Sequence, residues 1–188
     1  MLVAGVDEAG RGPLAGPVTV SAVILNESIA GLDDSKKLSE AQRLVLVESI
    51  KAHALSWSVV HVSVEKIDQI NIFQATMLGM QNAVKKLAMK PDKILVDGNK
   101  TPDFGIQANA IIGGDGIEPA ISAASILAKC ARDQLMVAMH DDFPHYGFAQ
   151  HKGYGTNKHV NAINEYGPCK HHRKTFAPVK HMLQVDLL

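Results

Sequence analysis

The residues best suited to do chemistry are acidic and close short apolar runs. Asp7 and Glu8 follow the run 2–6, Asp97 follows Ile94-Leu95-Val96, and Asp115 stands in the turn Gly113-Gly114-Asp115-Gly116 ahead of a long helical pattern. Carboxylates gathered at one sheet edge repel one another and hold their protons more tightly unless a divalent cation neutralises them. A site built from oxygen ligands alone selects Mg²⁺ or Mn²⁺. Taken singly, each of these acids reads first as a turn or cap residue rather than a metal ligand; the adjacent Asp7-Glu8 pair shifts the balance. Neighbours on a regular strand point to opposite faces, so the pair is expected to share one site through a pleat that ends at Glu8, just before Gly10 and Gly12.

Other segments carry ligand-facing possibilities. Gly10, Gly12 and Gly16 follow a strand, as in a dinucleotide-binding turn, but the last spacing is one residue too long and Pro13 intrudes. Glycines there equally let backbone groups approach a ligand hydroxyl, or simply make a turn. Asp34-Ser35-Lys36-Lys37 puts paired cations in a loop, suited to backbone phosphates and equally to solvent, and the residues alone favour solvent. Tyr154, between Gly153 and Gly155, is placed either to stack on a sugar or base or to anchor its loop. The histidines have no zinc-ligand spacing, and most of them read as solvated or phosphate-adjacent.

These residues must be held by regular elements. The run 2–6 and the β-rich run 18–25 are joined so briefly that they are expected to be antiparallel neighbours. Ser39 with Gln42 forms a capping-box pattern ahead of a first helix carrying Leu46, Val47, Ile50 and Ala54. A third strand is expected over 57–64, followed by a helix with the stripe Phe73, Met77, Met80, Val84 and Leu87. Strands over 94–98 and 107–112 lead to a long helix over 118–140, with Pro119 in its first turn and Ala120, Ala124, Ala128 and Ala131 along one face. A shorter helix over 156–166 ends at Gly167-Pro168. The alternation predicts an α/β fold with a mixed central sheet flanked by helices.

With 188 residues, 46% of them hydrophobic and 20% charged, the chain has the size and apolar content for one packed domain. Formal net charge is +0, so no global basic signature marks a nucleic-acid binder. The distribution differs: between 143 and 181, Lys152, Lys158, Lys170, Arg173, Lys174 and Lys180 face Glu165 as the one acid. We therefore read a core over 1–142 and a basic, helical C-terminal lobe over 143–188. Cys130 and Cys169 form no paired motif, and no signal-peptide pattern or membrane-length apolar run is present, so a cytoplasmic protein with free thiols is expected.

Several stretches together resemble the ribonuclease HII family. They are Val6-Asp7-Glu8-Ala9-Gly10-Arg11-Gly12-Pro13-Leu14-Ala15-Gly16-Pro17, Asp34-Ser35-Lys36-Lys37-Leu38-Ser39, Val96-Asp97-Gly98-Asn99, Ile121-Ser122-Ala123-Ala124-Ser125-Ile126-Leu127-Ala128-Lys129 and His151-Lys152-Gly153-Tyr154-Gly155-Thr156, continuing through His172-Arg173 and Phe176-Ala177-Pro178-Val179. The resemblance spans nearly the whole chain. It implies a ribonuclease H-like fold in which Asp7, Glu8, Asp97 and Asp115 match the catalytic, metal-holding acids, with Mg²⁺ or Mn²⁺ as cofactor. Gly10, Arg11, Gly12 and Tyr154 match residues that sense the 2′-hydroxyl beside the scissile phosphate, and Ser35, Lys36, Lys37 and Arg173 join them as substrate-binding positions.

The implied activity is metal-assisted hydrolysis of RNA–DNA hybrids and of ribonucleotide-containing duplex DNA, giving 5′-phosphate and 3′-hydroxyl ends. Two alternatives stand beside it: a ribonuclease H-like DNA endonuclease of resolvase or transposase type, and a non-catalytic nucleic-acid-binding module. No sliding-clamp motif is evident over 179–188, so that partner is not expected. A monomer with no membrane association and no obligate protein partner is expected.

Overall fold

The computed structural model describes residues 1–33 and 35–185; Asp34, named above beside Ser35, and the last three residues lie outside them. Five strands, β1 (Val3–Ala9), β2 (Val18–Leu25), β3 (Ala54–Val62), β4 (Lys93–Asp97) and β5 (Ala108–Ile111), form one sheet in the order β3-β2-β1-β4-β5. β1–β2 and β2–β3 pair antiparallel, whereas β1–β4 and β4–β5 pair parallel. This is the expected mixed sheet. β2 is VTVSAVIL, a β-branched run, and its residues from Val18 to Ile24 are wholly buried, as a strand covered on both faces must be.

Helices cover the two faces. On one side α2 (Val64–Lys85) packs Met80 and Ala83 against Ala4, Val6, Val20 and Ala22. On the other, α1 (Glu40–His53) and α3 (Pro119–Asp142) bring Ile50, Ala123, Ala124 and Leu127 against Val23. The expected capping box forms: the Ser39 hydroxyl accepts from Gln42 N–H, and the Gln42 side chain accepts from Ser39 N–H. β3 starts and ends earlier than its alternation predicts, because the Ser63 hydroxyl accepts from Lys66 N–H and so begins α2 at Val64. The expected α2 stripe is also displaced. Met80 is buried, but Phe73 is 36% exposed and the buried face is Ala75, Thr76, Gly79 and Ala83, because small residues let this helix lie close on Val20.

After a 3₁₀ turn at Pro144–Tyr146, the chain forms α4 (Phe148–His151), α5 (Asn157–Tyr166) and α6 (Val179–Val185). The Thr156 hydroxyl caps α5 through His159 N–H. Tyr146, Phe148, Ile163 and Val179 pack on Leu14 and Ala15 of the β1–β2 connection and on Met136 of α3. The C-terminal lobe thus buttresses the connection that follows Asp7 and Glu8. Among the described residues, no helix is long and apolar enough to cross a membrane.

One close approach sets the position of α3. Gly5 of β1 lies against the helix backbone, and a Cβ added there would collide with Ala120 C and O and Ile121 N. Backbone cannot step aside as a flexible side chain does, so Gly5→Ala is expected to destabilise the fold by about 3 kcal/mol. Thermal denaturation should show Tm lower by about 9 °C; an unchanged Tm would contradict this reading of the contact.

Candidate active site

β1 and β4 run parallel with Val6 opposite Val96, so Asp7 and Asp97 emerge together at one edge of the sheet. The pleat does not end at Glu8 as expected. β1 continues to Ala9, with Glu8 opposite Val20 and Ala9 opposite Thr19, held by the unbroken antiparallel ladder to β2. Asp7 therefore faces α3, where Ser125 bonds its carboxylate. Glu8 faces α2 and lines a cleft of about 330 Å³ with Arg11, Phe73, Met77, Asp97 and Lys100. The two acids leave on opposite faces, and Asp97 acts electrostatically on both.

Asp7 is 5% exposed. Burial first, then the charges of Glu8 and Asp97, hold its carboxyl well above the ordinary value, against the opposing pull of Glu8 N–H, 2.7 Å from Oδ1, and of Ser125. Burial also raises Glu8; Arg11, with Nη1 3.4 Å from Oε1, opposes this, and Asp97 adds to it. The second Glu8 oxygen, Oε2, is buried and accepts no hydrogen bond from the described residues.

Asp115 sits in a 3₁₀ turn (Gly114–Gly116) entered through Gly113 in the left-handed region at φ 67°. Gly114 N–H donates to Asp97 Oδ1 at 2.8 Å, and the Ser122 hydroxyl donates to Asp115 O at 2.5 Å. These bonds tie the turn to the end of β4 and to α3. The Asp115 carboxylate lies 3.8 Å from Lys36 Nζ, and Lys37 bonds Asp33 at 3.2 Å in the same loop. Arg43 holds that loop by donating to Ser35 O and Leu38 O. The Ser35 hydroxyl is buried on Ser125, the residue that also bonds Asp7, so Ser35 supports the acid and does not face solvent.

Among the described residues, no three His, Cys, Asp or Glu side chains already close around one point. Arg11 and Lys36 stand as countercharges at Glu8 and Asp115. The donor set nevertheless fits a hard divalent cation. It is made of carboxylate oxygens, two of the acids are strained toward protonation, and one buried oxygen is unpartnered.

The loops beside the acids are held by two buried arginines. Arg173 donates through Nε and Nη2 to Gly16 O, through Nη1 to Arg11 O and through Nη2 to Gly10 O. It is fully buried, so the direct substrate contact expected of it is replaced by a grip on the backbone of the Gly10–Gly12 loop. Arg132, 1% exposed, donates to Pro17 O, Ala15 O and Lys152 O. Its side chain fills the space where a Cβ on Gly10 would stand, and Gly10 adopts φ +90°. Tyr154 is 47% exposed, its ring 6.0 Å from the Arg132 guanidinium and beside Gly12, where an added Cβ would lie 3.9 Å from Tyr154 Cε1. Sequence reasoning missed Arg132; a lone cation in the buried α3 face, flanked by Ala128 and Met136, was the available signal.

The electrostatics generate a stability prediction. Asp7 keeps its proton to higher pH when folded than when unfolded, so its contribution to stability is present below the unfolded value near 3.8 and is lost as pH rises through the folded value. Buried His159 and His172, pushed down to about 4, pull the opposite way, so the informative quantity is the difference between variant and wild type. Without divalent cations, Asp7→Asn should be more stable than wild type at pH 8, by about 3 °C in Tm, with the gain vanishing by about pH 3. A variant less stable at pH 8 would contradict the account.

A family model described as Ribonuclease HII matches residues 4–179. A protein of Burkholderia thailandensis named Ribonuclease HII is 55% identical over 181 residues, covering 95% of this chain and 85% of that one. Among solved structures, ribonuclease H2 from Pyrococcus horikoshii OT3 matches with TM-score 0.82 at 25% identity, covering 98% of each chain. The PCNA:RNase HII complex from Archaeoglobus fulgidus contains a chain matching at TM-score 0.80 and 25% identity, covering 94% of this chain and 95% of that one. On the extent of these matches and the shared fold, the chain belongs to the ribonuclease HII family.

Proposed function

We propose that this protein hydrolyses the RNA strand of RNA–DNA hybrids and incises duplex DNA on the 5′ side of embedded ribonucleotides, leaving 5′-phosphate and 3′-hydroxyl ends. The observation that carries the reading is that Asp7 and Asp97 stand side by side at the ends of β1 and β4, that Asp97 acts electrostatically on Glu8 as well, and that the Asp115 turn is hydrogen-bonded to Asp97. These four acids are the proposed ligands of Mg²⁺ or Mn²⁺. Bound there, the dication supplies charge neutralisation at the scissile phosphate and lowers the pKa of the attacking water.

The chain's own residues do the rest. Glu8 would help to hold the cation, and Arg11, which now stands 3.4 Å from its Oε1, would then be free to face a phosphate. Lys36 and Lys37, at the rim beside Asp115, face the strand backbone. Burial of Asp7 and the Gly114 N–H bond to Asp97 fix carboxylate positions before substrate arrives, which limits reorganisation at the moment of reaction. Backbone groups of Gly10, Arg11 and Gly12 meet the ribose 2′-hydroxyl, and Tyr154 closes on the sugar beside Gly12. In this reading residues 1–142 hold the acids and residues 143–188 supply the sugar-facing tyrosine, with the protein acting as a monomer in the cytoplasm.

The test is cleavage of a duplex carrying one ribonucleotide, titrated with Mg²⁺ or Mn²⁺. Wild-type protein should cut only with the dication, Asp7→Asn should fall to background while remaining folded, and Tyr154→Ala should lose about 10²-fold in rate. An all-deoxy duplex should stay intact. Cutting it at a comparable rate would overturn the sugar-sensing reading, and undiminished cleavage by Asp7→Asn would overturn the assignment of the acids.

A further inference from the structure

Three histidines that the sequence placed in solvent or beside phosphate are instead packed under the Tyr154 loop. His159 and His172 are fully buried, and the rings of His151 and His159 stack at 4.4 Å. Their hydrogen bonds admit one proton arrangement. Cys169 N–H can only donate, and it lies 2.9 Å from His172 Nδ1, so that nitrogen accepts and the His172 proton is on Nε2. His172 Nε2 lies 3.0 Å from His159 Nε2, which must therefore accept. The His159 proton is then on Nδ1, 2.9 Å from Tyr154 O, which can only accept.

The result is a directed chain from Cys169 N–H through His172 and His159 to the Tyr154 carbonyl, which also accepts Thr156 N–H at 2.8 Å. Burial pushes both imidazoles down to about 4, so both are neutral at physiological pH, as the chain requires. His151 is fixed likewise: its Nδ1 accepts Gly153 N–H and its Nε2 donates to Tyr146 O.

The relay connects segments already joined to the acidic site. Residue 172 bridges Ala15, Arg173 N–H donates to Leu14 O, and Leu14 N–H donates to Gly153 O. The β1–β2 connection is therefore held between the Tyr154 loop on one side and the His172-Arg173 segment on the other. Displacing any one of the three shifts Tyr154 relative to Gly12.

We infer that His159 and His172 are positioning residues for Tyr154, a two-imidazole relay that sets the tyrosine against the Gly10–Gly12 loop. The inference rests on the reading of Tyr154 as a sugar-facing residue, and the experiment separates the two. Single-turnover cleavage and duplex binding are measured for Tyr154→Ala, His159→Phe, His159→Asn and the Tyr154→Ala/His159→Phe double variant on the single-ribonucleotide duplex. His159→Phe should lower the rate about tenfold with duplex affinity within twofold. His159→Asn, whose amide stands where Nδ1 stood and still donates to Tyr154 O, should recover most of that loss. In the Tyr154→Ala background, His159→Phe should cost nothing further.

Equal losses for His159→Phe and His159→Asn, or an undiminished loss in the Tyr154→Ala background, would overturn the inference. If Tyr154→Ala itself cleaves at the wild-type rate, the sugar-facing reading fails and the positioning role falls with it. Should His159→Phe not fold, ¹⁵N NMR of the wild type decides. A proton on His159 Nδ1 and on His172 Nε2 at pH 7 supports the relay, and the opposite tautomers refute it.

Discussion

Everything in this structure turns on negative charge concentrated at the shared end of β1 and β4. Parallel pairing puts Asp7 and Asp97 side by side, and the pleat adds Glu8 from the opposite face. Burial of Asp7 makes that charge expensive to ionise, and the protein leaves one Glu8 oxygen without a partner. Arg11 and Lys36 stand as countercharges at Glu8 and Asp115. Acids held this way are less stable than neutral groups would be, and a dication bound among them would remove that cost. In the proposed reading, the same deficit that weakens the fold would supply the affinity for a dication.

The surroundings are arranged to hold this cluster still. Gly5 lets α3 settle directly on β1, which brings Ser125 to Asp7 and anchors the Asp115 turn through Ser122. On the other flank, Arg132 and Arg173 are buried with backbone carbonyls in place of carboxylate partners. Burying an unpaired cation costs several kcal/mol, and hydrogen bonds from a charged donor return about 1.5–3 kcal/mol each. The arginines are thus stable only while the loop carbonyls converge on them. They hold the Gly10–Gly12 and Tyr154 loops in a single arrangement.

Much of this was legible in the sequence, for physical reasons that can be named. β2 announces itself through a run rich in β-branched residues, α1 through Ser39 and Gln42, and the long helix through Pro119. The strand-end acids stood out because carboxylates are costly there without a use. Local patterns could not say where β1 stops: the ladder to β2 carries it past Glu8, and that is a tertiary fact. Nor could they show that Phe73 faces a cleft, because its spacing matches a core stripe while the smaller Ala75, Gly79 and Ala83 win the closer packing. His159, His172, Arg132 and Arg173 are polar residues that became interior through partners 13 to 163 positions away. No periodicity encodes such bonds.

The most direct test of the central claim is Mn²⁺ binding itself, followed by the EPR signal of free Mn²⁺ as it is titrated into wild-type protein and into Asp97→Asn and Asp115→Asn. The account calls for saturable binding by the wild type, abolished by Asp97→Asn, which touches both Asp7 and Glu8 electrostatically, and weakened by Asp115→Asn. Equal Mn²⁺ uptake by wild type and Asp97→Asn would contradict it, because the cation would then be held somewhere other than the shared end of β1 and β4.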